Sequence, residues 1–355
     1  MYVVDLLHSI ELPSKIIIGD NAVASLPSVL KSAKISENDT LSIVTGPNVW
    51  RKLGGLIDTV LEKYKNIDRY EVRSSTLTEA ERVYREIEQY KPKAIIGFGG
   101  GKSIDIAKYV AYKSKSILIS VPTSPSHDGI ASPFASLRGY EKPYSMRTVK
   151  PFAIIADVDV LSKAPPRLIR AGAGDLIGKL TAVRDWILAH KLKGEYYGEY
   201  AAQLALLSAR HVIRYASEIG RCSKEGVRVL VEGLVSSGVA MGIAGSTRPA
   251  SGSEHLFAHA LEMLVPNKVV HGEQVALGTI MMMSLHSGNW KKVRRTIIKL
   301  GLPASINGLP VSAEQVIEAL VIAHRLRPER YTILGETGLT REAAEKLAKS
   351  TGVIS

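Results

Sequence analysis

Short apolar runs alternate with amphipathic stretches through the N-terminal part of the chain. Runs of branched apolar residues that end at a turn predict strands, and apolar positions that recur every three to four residues predict helices. Thr78 followed by Glu81 predicts a capping box at the start of the second helix. The predicted strands span 41–44, 70–72, 94–98, 117–121 and 152–156, and the predicted helices between them span 50–65, 77–90 and 103–113. This alternation predicts a parallel α/β sheet.

The pattern changes at Ala164-Pro165-Pro166, after which strand signals nearly vanish. We therefore predict two domains, an α/β domain over residues 1–162 and an all-α helical bundle over residues 163–355. The predicted helices of the second part span 176–190, 195–218, 226–242, 253–264 and 274–285, with further helix towards the C-terminus.

Composition is that of an ordinary globular protein, with 355 residues, 45% of them hydrophobic and 23% charged. The single cysteine, Cys222, excludes an intramolecular disulfide and a cysteine-rich zinc module. The N-terminus lacks the pattern of a signal peptide, and no stretch of about 18 uncharged apolar residues suggests a membrane span. We expect a cytoplasmic protein.

The net charge of +12 favours an anionic ligand. Its basic residues are scattered and are not interleaved with aromatic residues, which disfavours nucleic acid as the partner. A phosphorylated substrate or cofactor accounts for the same charge.

A glycine-rich loop joins the third predicted strand to the next helix, with the sequence GFGGGKSID over residues 97–105. Lys102 stands where a Rossmann loop needs glycine, and Ile96 stands where a Walker A loop needs glycine. The loop therefore predicts a third type of phosphate site, in which backbone N–H groups approach a pyrophosphate at a helix N-terminus. A tight turn without a ligand is the alternative.

A second loop, PTSPSHDG over residues 122–129, follows the next predicted strand, where a doubly wound sheet places its second ligand loop. The hydroxyls of Thr123, Ser124 and Ser126 suit ribose, phosphate or carboxamide. Serine- and proline-rich loops are common, so this signal is weak when taken alone.

Three segments of the helical part carry potential metal ligands. His255 and His259 share one helix face, His271 begins a further helix, and Asp175 follows a glycine pair. Two histidines and one carboxylate leave an open coordination position, as in a catalytic site. The segment does not complete H-E-x-x-H, which disfavours a protease. Spacing alone leaves a helix N-cap and core histidines as alternatives.

Four segments together resemble the family of iron-type alcohol dehydrogenases, glycerol dehydrogenases and dehydroquinate synthases. The resemblance is nearest to the archaeal-type sn-glycerol-1-phosphate dehydrogenases in that family. The segments occur in the family's order between residues 97 and 278 and read GFGGGKSIDIAK, PTSPSHDGIASP, GAGDLIGK and SGSEHLFAHALE…HGEQVALG.

The resemblance implies a role for each matched residue. It implies that Asp175, His255 and His271 bind one Zn²⁺ per subunit, with Asp175 also near the substrate, and that Asp128 and His259 contact substrate hydroxyls. The residues implied for NAD(P)H binding are Gly99, Gly100, Gly101, Lys102 and Ser103 for the pyrophosphate, and Thr123, Ser124, Pro125, Ser126 and Ser132 for the nicotinamide half.

Three departures from members of the family refine the expectation. Glycerol dehydrogenases carry an aspartate after the first strand that binds the adenosine ribose, and Gly46 stands there in this chain, so NADPH should be accepted beside NADH. Iron-type enzymes carry a third histidine four residues after the aspartate, and Lys179 stands there, which favours Zn²⁺. Dehydroquinate synthases carry glutamate where Asp175 stands.

The expected reaction is NAD(P)H-dependent reduction of dihydroxyacetone phosphate to sn-glycerol 1-phosphate, for the backbone of archaeal membrane phospholipids. His259 is the first candidate for proton relay and Asp128 the second. Arg248, Lys142 and Lys179 are candidates for the substrate phosphate. We also expect a homo-oligomer. The open alternatives are a polyol dehydrogenase, a synthase that uses NAD without net turnover, and a basic binding protein.

Overall fold

The computed structural model describes residues 10–139 and 143–355. Its strands are β1 (Lys15–Gly19), β2 (Thr40–Thr45), β3 (Asn66–Glu71), β4 (Ala94–Gly99), β5 (Ile117–Pro122), β6 (Phe134–Arg138), β7 (Pro143–Arg147) and β8 (Ala153–Asp157). The helices of the N-terminal part are α1 (Leu26–Ser32), α2 (Pro47–Val60), α3 (Leu77–Glu88) and α4 (Gly101–Ser114).

Six strands form one parallel sheet in the order β1-β8-β5-β4-β2-β3. The predicted parallel α/β sheet and its five strands are confirmed, with bounds moved by a few residues. Edge strand β1 and the antiparallel hairpin β6–β7 had no counterpart in the prediction. The strand order reverses between β2 and β4, and such a point opens a crevice at the carboxyl ends of the strands.

Helices cover both faces of the sheet. Helices α1 and α2 pack on one face through residues such as Leu30 and Ile57, and α3 and α4 pack on the other through residues such as Val83 and Val110. Strand β4 is buried along its whole length, as expected for a central parallel strand. The N-cap of α3 is Thr76, which accepts a hydrogen bond from the amide of Glu79, so the predicted cap at Thr78 is wrong.

Helices dominate after β8, and the described residues beyond Asp157 contain no strand. A single hydrophobic cluster extends from Ile104 and Ile154 to Ile354, so the helices pack directly against the sheet. The division into two domains at residue 162 stays a prediction. The helices of this part are α5 (Val158–Leu161), α6 (Pro166–Ile177), α7 (Lys179–Lys193), α8 (Glu199–Arg214), α9 (Ala216–Gly220), α10 (Lys224–Ala244), α11 (Ser253–Leu264), α12 (His271–Leu285), α13 (Trp290–Lys299), α14 (Ala313–Ile322) and α15 (Arg341–Ser350).

Two helices of this part, α10 and α6, bear directly on the predictions made from the sequence. Among the described helices, only α10 is long and apolar enough to cross a membrane. Of its 18-residue apolar stretch, 72% is buried inside the fold. Helix α6 begins at Pro166 and contains Asp175 in its last turn, so Asp175 is not an N-cap.

Candidate active site

A cleft of about 740 Å³ opens between the carboxyl ends of the strands and the helical part. Gly46 after β2 and Gly100 after β4 line one end of the cleft, at the point where the strand order reverses. Asp175, His255 and His271 line the same cleft from α6, α11 and α12. The fold therefore brings the two sequence-predicted ligand regions to one cavity.

The glycine loop places the N-terminus of α4 at the cleft. Gly100 is the N-cap, and no side chain caps the helix, so the amides of its first turn face the cavity through Gly101, Lys102 and Ser103. A Cβ at Gly99 would overlap Ser103, and a Cβ at Gly101 would overlap His127. These glycines are therefore needed for close packing, and neither has a positive φ. Gly99 itself is not at the cavity wall.

The second loop lies beside the first. Ser124 and Ser126 line the cleft, and a Cβ at Gly100 would come within 3.0 Å of the Ser124 hydroxyl. Thr123 is buried and donates its amide to the Gly99 carbonyl, at 2.9 Å. The Pro125 carbonyl packs against Gly172 of α6, where a Cβ would overlap it. Thr123 and Pro125 thus hold the loop in place from behind the cavity wall.

Ser132 lines the cleft above a buried ion pair that the sequence did not indicate. Lys108 is fully buried and contacts Asp105 at 3.3 Å, the Phe134 carbonyl at 2.6 Å and the Ser132 hydroxyl at 3.4 Å. Burial lowers the pKa of Lys108 and raises the pKa of Asp105, and each charge counters the shift of the other. Lys108 ties α4 to the hairpin and fixes Ser132.

Close helix packing brings the three predicted metal ligands together. A Cβ at Gly174 would overlap the Gly272 carbonyl, so these two glycines let α6 and α12 approach. One ligand atom from each of Asp175, His255 and His271 lies within 4.8 Å of the others. This is the spacing expected around one tetrahedral metal ion with an open position.

Glu254 orients His255, a role that the sequence did not indicate. The Nδ1 of His255 donates to Glu254 Oε1 at 2.7 Å, and Glu254 also accepts from the Thr181 hydroxyl and the Gly252 amide. The Nε2 of His255 then faces Asp175 Oδ1 at 3.2 Å. A proton or a metal ion must lie between Nε2 and Oδ1, which would otherwise be two facing acceptors. Burial lowers the pKa of His255, but the hydrogen bonds to Asp175 and Glu254 outweigh it and raise that pKa.

His271 offers a neutral imidazole to the same point. Burial, with the nearby charge of His255, lowers its pKa to about 3. A metal ligand must be unprotonated, so this environment suits coordination. The donor set, its orientation by Glu254 and its buried anion fit a Zn²⁺ ion.

Lys179 links the carboxylates of the site. Its ammonium contacts Asp175 Oδ1 at 3.0 Å, Asp128 Oδ2 at 2.9 Å and the Ala250 carbonyl at 3.1 Å, which occupies all three donors. Burial raises the pKa of Asp175, but Lys179 and His255 outweigh it and hold that pKa well below its ordinary value. Lys179 is fully buried away from the cavity wall, so it cannot bind the substrate phosphate as predicted.

Asp128 and His259 both reach the cleft. Asp128 Oδ2 accepts from Lys179 and from the Ser237 hydroxyl at 2.7 Å, and its amide donates to Asp175 Oδ2 at 3.0 Å. His259 stacks on His271 with ring centroids 5.8 Å apart. Burial lowers the pKa of His259, and neighbouring cations lower it further, so its imidazole is neutral.

The two other predicted phosphate ligands have different outcomes. Arg248 is buried against Glu195 in a bidentate ion pair and also donates to the Tyr331 carbonyl, so its charge is neutralised away from the cleft. The prediction for Arg248 is therefore wrong. Lys142 lies outside the described residues.

Known proteins resemble this chain in sequence. A sequence profile of the iron-containing alcohol dehydrogenase family matches residues 17–165. The chain is 63% identical over 349 residues to a glycerol-1-phosphate dehydrogenase (NAD(P)+) of Hyperthermus butylicus, covering 98% of this chain and 100% of that one. It is 54% identical to the enzyme of the same name from Staphylothermus marinus, covering 98% and 99%.

Solved structures share the fold at low sequence identity. A probable glycerol dehydrogenase from Sinorhizobium meliloti aligns with a TM-score of 0.78 at 20% identity, covering 97% of this chain and 98% of that one. An iron-containing alcohol dehydrogenase from Thermococcus thioreducens aligns with a TM-score of 0.76 at 14% identity, covering 97% and 99%. The sheet followed by packed helices is therefore the fold of these dehydrogenases.

Proposed function

From the premise that this chain belongs to the glycerol-1-phosphate dehydrogenase family of oxidoreductases, we propose that it reduces dihydroxyacetone phosphate to sn-glycerol 1-phosphate with NAD(P)H and Zn²⁺. The observation that carries the proposal is the single cleft that holds both the glycine loop and the cluster of Asp175, His255 and His271. The product would supply the backbone of archaeal membrane phospholipids. A cytoplasmic location and a homo-oligomer stay predictions.

Asp175, His255 and His271 would hold the Zn²⁺, with Glu254 fixing the tautomer of His255. When bound, the ion supplies Lewis acidity for polarising the substrate carbonyl. The Lys179 ammonium contacts the same Asp175 oxygen that faces His255, and it joins Asp175 to Asp128. The chain therefore keeps its anionic ligand ionised and fixed before any substrate arrives.

The N-terminus of α4 would bind the pyrophosphate of the dinucleotide through the amides of Gly101, Lys102 and Ser103. Ser124, Ser126 and Ser132 would contact the half that carries the nicotinamide. Gly46 places no carboxylate beside the adenosine ribose, and a Cβ there would find nothing closer than 3.8 Å. That open space fits the 2′-phosphate of NADPH.

Asp128 would bind a substrate hydroxyl, and His259 would relay a proton to the product oxygen. Oδ2 of Asp128 is occupied by Lys179 and Ser237, while Oδ1 has no partner among the described residues and can accept from a substrate hydroxyl. The neutral imidazole of His259 can donate from one nitrogen and accept on the other, which suits a relay to the product oxygen.

The proposal is tested by comparing dihydroxyacetone phosphate with unphosphorylated dihydroxyacetone and glycerol, using enzyme stripped of metal and enzyme resupplied with Zn²⁺. We expect activity to need Zn²⁺ and kcat/KM to favour the phosphorylated substrate by at least about 100-fold, since a buried charge-paired phosphate contributes several hydrogen bonds to charged groups. A preference for free glycerol would instead identify a polyol dehydrogenase.

A further inference from the structure

We propose that Arg327, supported by Arg330, binds the phosphate of the substrate. The proposal rests on the function proposed above and supplies the phosphate ligand that neither Lys179 nor Arg248 can provide. Both arginines lie in the segment between α14 and α15, which carries none of the motifs by which the sequence resembles its family.

Arg327 has the properties of a residue that binds an anion. It lines the cleft together with His259, Thr247 and Ser251, and its side chain is half-buried. Across the described chain, no carboxylate or carbonyl is hydrogen-bonded to its guanidinium. Burial lowers the pKa of Arg327, which means that its charge is less stable here than in water. An anion bound beside the guanidinium would offset that loss of stability.

Arg330 adds a second cation directly behind the cleft wall. Its guanidinium donates to the Ser251 carbonyl at 2.6 Å and to the Thr247 hydroxyl at 2.7 Å. Both partners are neutral, and no carboxylate of residues 10–139 or 143–355 forms an ion pair with Arg330. Burial, together with Arg327 and Arg248, lowers the pKa of Arg330 to about 9.

The wall that these arginines form suits a phosphate dianion. The Thr247 hydroxyl accepts from Arg330 and so has its own hydrogen free to donate. Ser251 also lines the cleft. The charge of Arg327 acts on His259, which stacks on the metal ligand His271. A substrate as short as dihydroxyacetone phosphate needs its phosphate site and its carbonyl site in one cleft, and Arg327, His259 and His271 line the same cleft.

The other described cations at the cleft are less suited. Arg138 is engaged by Asn267 and Glu262, and Arg167 forms a bidentate pair with Glu273. Lys102 is exposed in the dinucleotide loop, and Lys268 is exposed at the rim. Arg327 is therefore the half-buried guanidinium at the cleft whose charge remains unpaired within the described ranges.

The test compares Arg327→Met with Arg325→Met, an exposed arginine outside the cleft, and with Arg327→Lys. We expect Arg327→Met to lower kcat/KM for dihydroxyacetone phosphate at least about 30-fold, as the loss of a charge-assisted pair implies. Activity on unphosphorylated dihydroxyacetone should fall at least about tenfold less than activity on the phosphorylated substrate, because the unphosphorylated substrate makes no such pair. Arg327→Lys should recover part of the loss, and Arg325→Met should match the wild type.

Calorimetric titration with inorganic phosphate and with sn-glycerol 1-phosphate gives a readout that needs no turnover. Both affinities should fall in Arg327→Met and stay unchanged in Arg325→Met. Equal losses on the phosphorylated and unphosphorylated substrates, or an unchanged phosphate affinity, would overturn the phosphate site. A wild-type enzyme that binds phosphate through Arg327 but does not reduce dihydroxyacetone phosphate would overturn the proposed function and leave the site standing.

Discussion

The two sides of the cleft are built in different ways. On the sheet side, the proposed dinucleotide site is made of backbone, with Gly99 to Ser103 consecutive in the chain and carried by one strand and one helix. On the helical side, Asp175, His255 and His271 come from three helices and are held by buried charges. The proposed site on the sheet side depends on space for the backbone, and the proposed site on the helical side depends on balanced buried charges.

This difference predicts how each side responds to substitution. Removing one charge from the helical side leaves a buried partner without compensation, and such a loss is large. On the sheet side, adding a side chain at Gly46, where space is open, should change which cofactor fits and leave the fold unchanged. Four substitutions test the contrast, in order of decreasing effect.

His255→Ala should have the largest effect, because it removes one of the three proposed metal ligands. We expect Zn²⁺ content to fall to background and kcat/KM to fall at least about 1000-fold, which corresponds to the several kcal/mol of stabilisation that a Lewis acid provides. Metal analysis and steady-state kinetics measure both. His211→Ala on α8, outside the cleft, is the control. A variant that kept metal and activity would show that the helical side is not a metal centre.

Lys108→Met tests whether the sheet side also contains a charge-dependent element. It leaves the Asp105 carboxylate buried without its cation, so we expect a loss of about 3–5 kcal/mol in the free energy of unfolding. Denaturant unfolding measures this loss. The double variant Asp105→Asn with Lys108→Met should recover much of it, since it removes both charges. Equal stability of the single variant and the wild type would contradict the account.

Glu254→Gln tests the orientation of His255 without removing any of the three proposed metal ligands. The amide keeps the shape but loses the charge that holds the Nδ1 proton, so Zn²⁺ affinity should fall about 10- to 100-fold. Competition with a chelator measures the affinity. Glu262→Gln, at the rim of the same cleft, is the matched control. If both variants bound Zn²⁺ equally well, Glu254 would have no orienting role.

Gly46→Asp should have the smallest effect and should leave stability unchanged. Its Cβ fits without overlap, and the new carboxylate would repel a 2′-phosphate while favouring the free ribose hydroxyl. We expect the ratio of kcat/KM for NADPH to that for NADH to fall about tenfold, the size of one modest charge interaction. Gly55→Asp on α2 is the control. An unchanged ratio would place the ribose elsewhere.

The same contrast explains how much the sequence could predict. Five strands of the sheet, the glycine loop and the start of α12 at His271 follow from local patterns, because adjacent residues create them. The family resemblance supplied the ligand set, whereas spacing alone left core histidines open. Edge strand β1 was missed although Lys15–Gly19 contains three consecutive isoleucines, since it pairs with β8, which is distant in the chain.

Partners that meet only in the folded chain were the main omissions. Glu254 is adjacent to a predicted ligand, but its role depends on the direction of the His255 ring. The Lys108–Asp105 pair has ordinary helical spacing, and only its burial makes it notable. Lys179 and Arg248 were chosen by charge, and the structure shows that each is buried and neutralised by carboxylates.

The most direct measurement is the stereochemistry of the product that the purified enzyme, loaded with Zn²⁺, forms from dihydroxyacetone phosphate and NADPH. A chiral assay that distinguishes sn-glycerol 1-phosphate from sn-glycerol 3-phosphate gives the answer. The account predicts sn-glycerol 1-phosphate alone, formed only when Asp175, His255 and His271 are intact. Formation of sn-glycerol 3-phosphate, or no oxidation of NADPH, would contradict it.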